Sequence, residues 1–264
     1  MGDPVLEARQ VSKTYVPQGD VLGRRRQSVE ALKRVTLSVQ PGEAVGIVGE
    51  SGSGKTTLAR VLIGLLKPDA GQALIRGEEF HALRGERLRT ARCSVQYIFQ
   101  DPVNSLNPRM TVEDTLGEPL IIHRLAAGRA RRRRVEQLLE SVQLPVSYCD
   151  RLPRQLSGGE RQRVGIARAL ATEPAALICD EPIASLDVSV GARILELLRR
   201  FNRERGMALL FISHDLRAVA ALCRRIIVMK QGQVVESAST AQLIARPQQP
   251  YTQLLLRSAS LDLS

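Results

Sequence analysis

Three short apolar runs are the most regular feature of the hydrophobic pattern. They cover Ala44–Val48, Ala176–Cys179 and Ala208–Ile212, and they consist mostly of aliphatic residues. Runs of four to eight apolar residues are typical of strands that are buried on both faces, whereas a buried helix is about ten residues or longer. We therefore predict three buried strands.

Apolar residues at helical spacing occupy the stretches around these runs, for example Leu58, Val61, Leu62 and Leu65 after the first run. Strands that alternate with helices indicate a mainly parallel sheet, because a parallel connection needs a crossover segment. The predicted helices are Thr56–Leu66, Thr111–Leu144, Glu160–Thr172 and Asp187–Arg205.

A second group of strands is predicted near the N-terminus of the sequence. The segments Val5–Val16 and Ala31–Val39 have strand patterns, and the polar, arginine-rich stretch Pro17–Glu30 separates them. They predict a small antiparallel lobe. A further hairpin is predicted at Met229–Val234, where Gly232 supplies the turn residue.

A glycine-rich loop follows the first buried strand. Its sequence, GESGSGKT over Gly49–Thr56, fits the pattern G-x-x-x-x-G-K-[ST] between a strand and a helix. The glycines let backbone N–H groups converge on phosphate oxygens, and the helix start adds its positive dipole end. We expect Lys55 to reach the β- and γ-phosphates of a nucleoside triphosphate and Thr56 to bind Mg²⁺.

Acidic and imidazole side chains end the other two buried strands. Asp180 and Glu181 follow the second run, and His214 follows the third. The carboxyl ends of parallel strands are where ligands bind in such sheets. We expect Asp180 to hold Mg²⁺ through water, Glu181 to orient or deprotonate the attacking water, and His214 to contact the γ-phosphate.

A second anion site is predicted at Leu156–Glu160, with the sequence LSGGE. The Ser157 hydroxyl and the bare amides of Gly158 and Gly159 stand at the start of a predicted helix, which suits a phosphate. This site cannot also serve the phosphate loop of its own chain. It therefore predicts a dimer in which each subunit closes over the nucleotide of the other.

From about Val5 onward, these motifs resemble those of ATP-binding-cassette (ABC) ATPase subunits, in the same order. The resemblance implies an α/β fold: a P-loop ABC ATPase core with a mainly parallel sheet, an antiparallel β lobe and a helical subdomain. It also implies a single nucleotide-binding domain over 1–264, with the helical subdomain at about 101–170, and ATP and Mg²⁺ as ligands.

The resemblance assigns roles to further residues. It implies that Tyr15 stacks on adenine, that Gln100 is the glutamine-loop contact to Mg²⁺ and water, that Ser185–Asp187 is the D-loop, and that His214 is the switch histidine. Ser157, Gly158 and Gly159 belong to the signature motif. The Walker A residues are Gly49, Glu50, Ser51, Gly52, Ser53, Gly54, Lys55, Thr56 and Thr57.

Two segments, Phe99–Val112 and Arg246–Thr252, resemble the peptide and nickel import branch of this family. Ile183-Ala184 and Gln249 depart from the branch pattern without touching the nucleotide motifs. The branch implies import of nickel, a metal chelate or peptides at the cytoplasmic face of the cell membrane. Its partners are two integral-membrane permease subunits, a second ABC ATPase subunit and, indirectly, an extracytoplasmic solute-binding protein. A non-transport complex, such as one for phosphonate breakdown, is the alternative.

Composition argues against two further classes of protein, those that span a membrane and those that bind nucleic acid. The chain has 264 residues, a net charge of +11 and four scattered cysteines. No apolar run is long enough to cross a membrane, so we expect membrane association only through partners. No aromatic side chains interleave with the basic runs Arg24–Arg26 and Arg131–Arg134, so we expect no nucleic-acid partner.

Overall fold

The computed structural model describes residues 3–16, 28–99 and 106–259. The strands are β1 (Leu6–Tyr15), β2 (Val29–Val39), β3 (Ala44–Val48), β4 (Ala70–Ile75), β5 (Glu78–Glu79), β6 (Val95–Ile98), β7 (Ala176–Asp180), β8 (Ala208–Ile212), β9 (Arg225–Lys230) and β10 (Gln233–Ser239). The α-helices are α1 (Lys55–Leu62), α2 (Gly85–Ser94), α3 (Val112–Ile122), α4 (Gly128–Ser141), α5 (Gly158–Leu170), α6 (Val188–Arg205), α7 (Leu216–Leu222), α8 (Thr240–Ala245) and α9 (Pro250–Ser258).

The chain divides into two compact units. The first consists of Met1–Leu83 and Leu210–Ser264, and the second of Arg84–Leu209. The predicted bounds of a helical subdomain at 101–170 do not coincide with this division and stay a prediction.

The first unit contains the predicted antiparallel lobe. Its four strands lie in the order β2-β1-β4-β5, and Leu6 pairs with Val39 on one side and with Ile75 on the other. Leu6, Ala8 and Val11 of β1 are buried. Leu6 and Ala8 alternate as a sheet with one covered face requires, and an irregularity between Ala8 and Val11 returns Val11 to the buried face.

The first unit also holds the strands that carry the phosphate loop. β10, β9, β3 and the Leu210–Ile212 part of β8 lie side by side in this order, and β3 pairs with β9 in parallel. All five residues of β3 are buried, as the continuous apolar run predicts. The predicted hairpin is confirmed: β9 and β10 are antiparallel, and Gln231 and Gly232 take positive φ in the turn.

The second unit is mostly helical, around the parallel pair β6 and β7. The predicted continuous helical stretch Thr111–Leu144 is wrong in one respect, because it forms two helices, α3 and α4. The chain turns where Arg124 takes a φ of 56°, and the Leu125 N–H closes the end of α3 on the Leu120 carbonyl. Gly128, also at positive φ, then begins α4.

Helix α1 is shorter than the pattern predicts, since it ends at Leu62 instead of Leu66. Gly64 follows at a φ of 70°, and a Cβ on it would lie 2.0 Å from the Phe80 ring. Leu65, counted with the apolar face of the helix, is 63% exposed. The packing of Phe80 therefore ends the helix where the local pattern continues it.

The basic run Arg131–Arg134 lies on α4 and is partly neutralised there. Arg131 and Arg132 lie 3.4 Å and 3.7 Å from carboxylate oxygens of Glu113, and Arg134 forms an ion pair with Glu173. No helix in the described parts of the chain is long and apolar enough to span a lipid bilayer.

Candidate functional site

The glycine-rich loop connects β3 to α1 and is held by two other segments of the first unit. The Gly232 N–H of the β9–β10 turn donates to the Ser53 carbonyl at 3.0 Å. Gly49 has a φ of 152°, and a Cβ on it would lie 2.2 Å from the Met229 carbonyl oxygen. The first glycine of the pattern is therefore required by close backbone packing as well as by its dihedral angle.

Lys55 is buried within the loop, with 8% of its surface exposed. Its Nζ donates to the carbonyl oxygens of Gly49 at 2.7 Å and Glu50 at 2.8 Å, and it lies 3.3 Å from the Ser53 Oγ. A buried ammonium is stable only with such acceptors. Phosphate oxygens are stronger acceptors than carbonyls, so the same group is suited to a nucleotide.

The start of α1 is open to an anion. Gly54 is its N-cap residue, no side chain of the described residues caps it, and its first turn carries no acidic residue. Thr56 and Thr57 in that turn are partly exposed. The free N–H groups of such a helix start, together with its dipole, favour negative charge.

A contact that the sequence analysis missed lies at the second residue of the loop. The Glu50 N–H donates to the Tyr251 hydroxyl of α9 at 3.0 Å. Ser51 and Gly52, the next two residues, are exposed. The only sequence signal for Tyr251 is its place in the tail segment Arg246–Thr252, and nothing in that segment points to the loop.

His214 follows β8 and is brought to the phosphate loop. It lines a cleft of about 530 Å³, together with Gly49, Glu50 and residues of α9. The next residue, Asp215, caps α7 by accepting from the Arg217 N–H at 2.9 Å and the Ala218 N–H at 3.3 Å. The cap fixes the direction in which the chain leaves His214.

Tyr15 ends β1, opposite Val29 of β2. It is 41% exposed, so an aromatic face is accessible for stacking. This placement leaves its predicted contact with adenine a prediction.

Asp180 ends β7 in the second unit and is buried, with 2% of its surface exposed. Its Oδ2 accepts from the Tyr97 hydroxyl at 2.6 Å. Its Oδ1 has no hydrogen-bond partner among the described residues. A buried carboxylate oxygen without a partner is costly, and a hydrated cation would satisfy it, so the residue fits the predicted Mg²⁺ site. No group of three candidate metal-binding side chains occurs in the part of the chain that the structure describes.

Glu181 has a backbone conformation that is rare for a residue with a side chain. Its φ is 49°, in the left-handed region, and the residue is nearly buried. Such conformations cost about 1–3 kcal/mol and are often found at functional sites. The strain sets the direction in which the carboxylate leaves the strand end.

The LSGGE segment forms the start of α5, close to the predicted boundary. Ser157 is the N-cap and accepts from the Glu160 N–H, while Glu160 accepts from the Ser157 N–H at 2.7 Å. Glu160 also accepts from the Tyr148 hydroxyl at 2.7 Å. These bonds, first that from the Ser157 backbone and then that from Tyr148, lower the pKa of Glu160.

The two glycines of this segment differ in their surroundings. A Cβ on Gly159 would lie 2.4 Å from Val190 Cγ1 near the start of α6, whereas one on Gly158 would lie 3.6 Å from Leu186 Cδ2. Asp187, in the predicted D-loop, caps α6 by accepting from the Val190 N–H at 2.9 Å. The starts of α5 and α6 therefore pack closely, and Gly159 makes this possible.

The structure thus places the predicted residues in two sets. Gly49–Thr57 and His214 meet in the first unit, which also contains Tyr15. Asp180, Glu181 and the LSGGE segment belong to the second unit. Gln100 lies outside the described residues, and its predicted role stays a prediction. The hydroxyl groups of Tyr97, Tyr148 and Tyr251 were not predicted.

Comparison with known proteins gives one consistent result. The sequence model of the family described as ABC transporter matches residues 32–184. A peptide import ATP-binding protein of Brucella ovis is 43% identical over 96% of this chain and 78% of its own length. The oligopeptide transport ATP-binding protein AppF of Bacillus subtilis is 42% identical over 97% of this chain and 78% of its own length.

A solved structure with a similar fold is the dimeric post-hydrolysis state of the ATP-binding cassette MJ0796, bound to ADP and Pi. It is 33% identical and has a TM-score of 0.78, covering 89% of this chain and 98% of that one. The predicted fold class, an α/β ATPase core with an antiparallel lobe and a helical region, is confirmed.

Proposed function

The chain belongs to the ABC transporter family, as an ATP-hydrolysing subunit, and we propose that it powers a membrane permease that imports peptides. The observation that carries the proposal is the buried ammonium of Lys55, which bonds to loop oxygens in a loop that leads into a helix whose N-terminus no described side chain caps. When ATP binds, phosphate oxygens replace carbonyl oxygens as its acceptors. The amides of Gly52–Thr57 line the β- and γ-phosphates, and Tyr15 stacks on adenine.

We assign hydrolysis to the residues that end the buried strands. Glu181 orients the attacking water and accepts its proton, and His214 contacts the γ-phosphate. Thr56, Asp180 and Gln100 would hold Mg²⁺, which neutralises phosphate charge when it is bound. Asp180 Oδ1, which has no hydrogen-bond partner among the described residues, supports this assignment, because an oxygen ligand of this kind suits the ion.

We assign Ser157, Gly158 and Gly159 to the γ-phosphate of a nucleotide on a second ATPase subunit. The exposed Ser157 at the start of α5, followed by two glycines without side chains, supports a site that acts in trans. The dimeric state of MJ0796 with ADP and Pi is consistent with this assembly. Closure of the dimer on ATP and its opening after hydrolysis would drive the permease between two conformations.

The transported class is proposed from the relatives. Both curated relatives described above are named for peptide import or oligopeptide transport, which favours peptides over nickel and over a non-transport complex. The proposed partners are two permease subunits at the cytoplasmic face of the cell membrane, a second ABC ATPase subunit and, indirectly, a solute-binding protein.

A docking surface for the permease is proposed on the second unit. Ile121, Ile122 and Leu125 at the end of α3 are exposed apolar residues close together in the chain. Arg109, in the turn before the opposite end of this helix, is exposed and offers a separate, positively charged contact. A cytoplasmic loop of the permease with apolar and acidic residues fits this chemistry.

The experiment is purification of the tagged chain from detergent-solubilised membranes of its own host, followed by reconstitution of the recovered complex in liposomes. We expect two polytopic permeases to copurify and ATP to drive uptake of a labelled oligopeptide, but not of radioactive nickel. Glu181→Gln in the same complex should abolish uptake. Recovery of a complex without a polytopic membrane protein would instead favour the non-transport alternative.

The proposed action in trans has its own test. Ser157→Arg should leave ATP binding to the isolated subunit intact, because the residue contacts only the partner's nucleotide, but it should block closure and hydrolysis. ATP affinity, measured on the monomer, and the sedimentation of the ATP-bound dimer give the two readouts. Loss of ATP binding by the monomer would contradict a site that acts in trans.

A further inference from the structure

Helix α9 contacts the phosphate loop through the hydroxyl group of Tyr251. The Glu50 N–H donates to the Tyr251 hydroxyl at 3.0 Å, although the two residues are 201 positions apart. Neither the loop pattern nor the known chemistry of the loop requires a tyrosine at this place. The contact therefore calls for a function of its own.

The ring of Tyr251 is held firmly, so its hydroxyl has a fixed place. The residue is 8% exposed, and the Lys230 ammonium lies 4.5 Å from the centre of its ring. Lys230 ends β9, directly after Met229, whose carbonyl oxygen packs against Gly49. Burial raises the pKa of Tyr251, so the hydroxyl keeps its proton at neutral pH.

Both backbone polar groups of Glu50, its N–H and its carbonyl oxygen, form hydrogen bonds. Its N–H is bound by Tyr251, and its carbonyl oxygen accepts from Lys55 Nζ at 2.8 Å and from the Ser53 N–H at 3.2 Å. The hydroxyl therefore sets the orientation of the first turn of the loop. The conformation of this turn then determines the position of the Lys55 ammonium before a nucleotide binds.

Helix α9 is also bound at its other end. Arg217 Nε donates to the Ala259 carbonyl at 2.7 Å, and Arg217 follows His214 by three residues. Residues of α9 thus line the same cleft as Glu50 and His214, and the helix is hydrogen-bonded near both of its ends. A helix bound in this way holds its tyrosine in place independently of the loop.

We propose that Tyr251 is a positioning residue for the phosphate loop, which it holds in the conformation that accepts ATP. The inference rests on the proposed function of the loop as the phosphate site. A loop that is already ordered loses less conformational entropy when the ligand binds, so the hydroxyl contributes to ATP affinity without touching ATP.

The test is Tyr251→Phe in the full chain, which removes the hydroxyl and keeps the ring. We expect the KM for ATP, and the Kd for a non-hydrolysable ATP analogue, to rise about five- to tenfold, as the loss of one hydrogen bond implies. The kcat should stay within about twofold, because bound ATP holds the loop equally in the ground state and in the transition state. A merely structural role would lower kcat through loss of folded enzyme and leave KM unchanged.

The next residue of the same helix offers a matched control. Thr252 is buried, and its Oγ1 has no hydrogen-bond partner among the described residues. Thr252→Val also removes one hydroxyl from α9 but breaks no bond to the loop, so its KM should equal that of the wild type. An equal rise of KM in both variants would overturn the proposal, since the effect would then belong to the helix and not to the bond.

A third variant separates this proposal from the proposed function. Lys55→Ala should abolish tight binding of the analogue if the loop takes the phosphates. Should Lys55→Ala lose affinity while Tyr251→Phe binds like the wild type, the loop keeps its proposed function and the role of Tyr251 is refuted. Should the wild type itself fail to bind the analogue, both proposals fall together.

Discussion

The Tyr97 hydroxyl donates to Asp180 Oδ2 across 2.6 Å, between two adjacent parallel strands. The bond occupies one carboxylate oxygen and leaves Oδ1 directed elsewhere without a partner among the described residues. In metal sites, the loss of an outer group that orients a ligand in this way typically costs about 10–100-fold in metal affinity or activity. Tyr97 is therefore expected to control how Asp180 presents its free oxygen.

Tyr97→Phe should weaken the binding of Mg²⁺ at Asp180 without abolishing it. We expect the Mg²⁺ concentration that gives half-maximal ATPase activity to rise by about tenfold, the lower end of the range for such contacts. A Mg²⁺ titration at fixed ATP measures the change. Phe99, whose ring packs edge-on against Tyr97 at 4.7 Å, provides the control. Phe99→Leu alters the ring contact and keeps the hydroxyl, so an equal rise there would assign the effect to packing.

Substitutions of Glu181 and Lys55 should impair different steps, hydrolysis for Glu181 and nucleotide binding for Lys55. Glu181→Gln keeps the size of the side chain and removes the base, so ATP should still bind while hydrolysis falls by about 10²–10⁴-fold. Lys55→Ala removes the ammonium that bonds within the loop, so nucleotide affinity itself should fall. Affinity for an ATP analogue, compared between the two purified variants, separates the roles. Turnover of Glu181→Gln near the wild-type rate would show that another group acts as the base.

Gly159→Ala should destabilise the second unit, whereas Gly158→Ala should not. Alanine favours a helix over glycine by about 1 kcal/mol, but a Cβ 2.4 Å from Val190 forces overpacking that costs about 1–3 kcal/mol. We expect a lower Tm for Gly159→Ala and an unchanged or higher Tm for Gly158→Ala in thermal unfolding. Adding Val190→Ala to the first variant should restore part of the loss, and no recovery would contradict the steric cause.

The capping carboxylate of α5 predicts a pH dependence of stability. Hydrogen bonds from the Ser157 backbone and the Tyr148 hydroxyl lower the pKa of Glu160 from its ordinary 4.5. Because the folded-state pKa is the lower one, its contribution to stability is complete above 4.5 and is lost as the pH falls through the folded value. Glu160→Gln should therefore lower Tm at about pH 7 and show a smaller decline toward about pH 3.

The control for this prediction is Glu140→Gln, which changes an exposed glutamate on α4. Its Tm should follow that of the wild type from neutral to acidic pH. If Tm depends on pH in the same way for Glu160→Gln and for the wild type, the capping bonds make no contribution to stability that depends on the protonation of Glu160.

Arg109→Glu tests the proposed permease surface. The reversal leaves Lys55, Asp180 and Glu181 unchanged, so the ATPase activity of the isolated subunit should survive while assembly with the permease and uptake are lost. Arg203→Glu, an equal change at another exposed position, should leave uptake intact. Normal uptake in Arg109→Glu would reject this surface, and a loss of isolated ATPase activity would place the residue at the nucleotide site.

The sequence alone determined the buried strands and the polar residues that follow them. The runs Ala44–Val48, Ala176–Cys179 and Ala208–Ile212 predict strands, because continuous apolar residues have to be buried on both faces. The phosphate-loop pattern is equally local, since glycines, a lysine and a helix start occur within eight consecutive residues. Features that depend only on neighbouring residues can be predicted without knowledge of the tertiary structure.

The ends of helices are predicted less well from the sequence, because residues that lie far away along the chain determine them. The apolar spacing after Lys55 continues to Leu66, but the Phe80 ring packs where Gly64 must turn, and α1 ends at Leu62. The break between α3 and α4 likewise depends on one residue, Arg124, in a conformation that its sequence does not favour.

Only the tertiary structure decided which side chains hold the functional residues. Tyr97 and Asp180 are 83 positions apart, and Tyr251 and Glu50 are 201 positions apart. A tyrosine has an apolar ring and a polar hydroxyl, so its sequence context is that of many core residues, and the partner of the hydroxyl is defined only when the chain has folded. The sequence therefore determined which polar groups follow the buried strands, and the packing of distant elements determined how those groups are held.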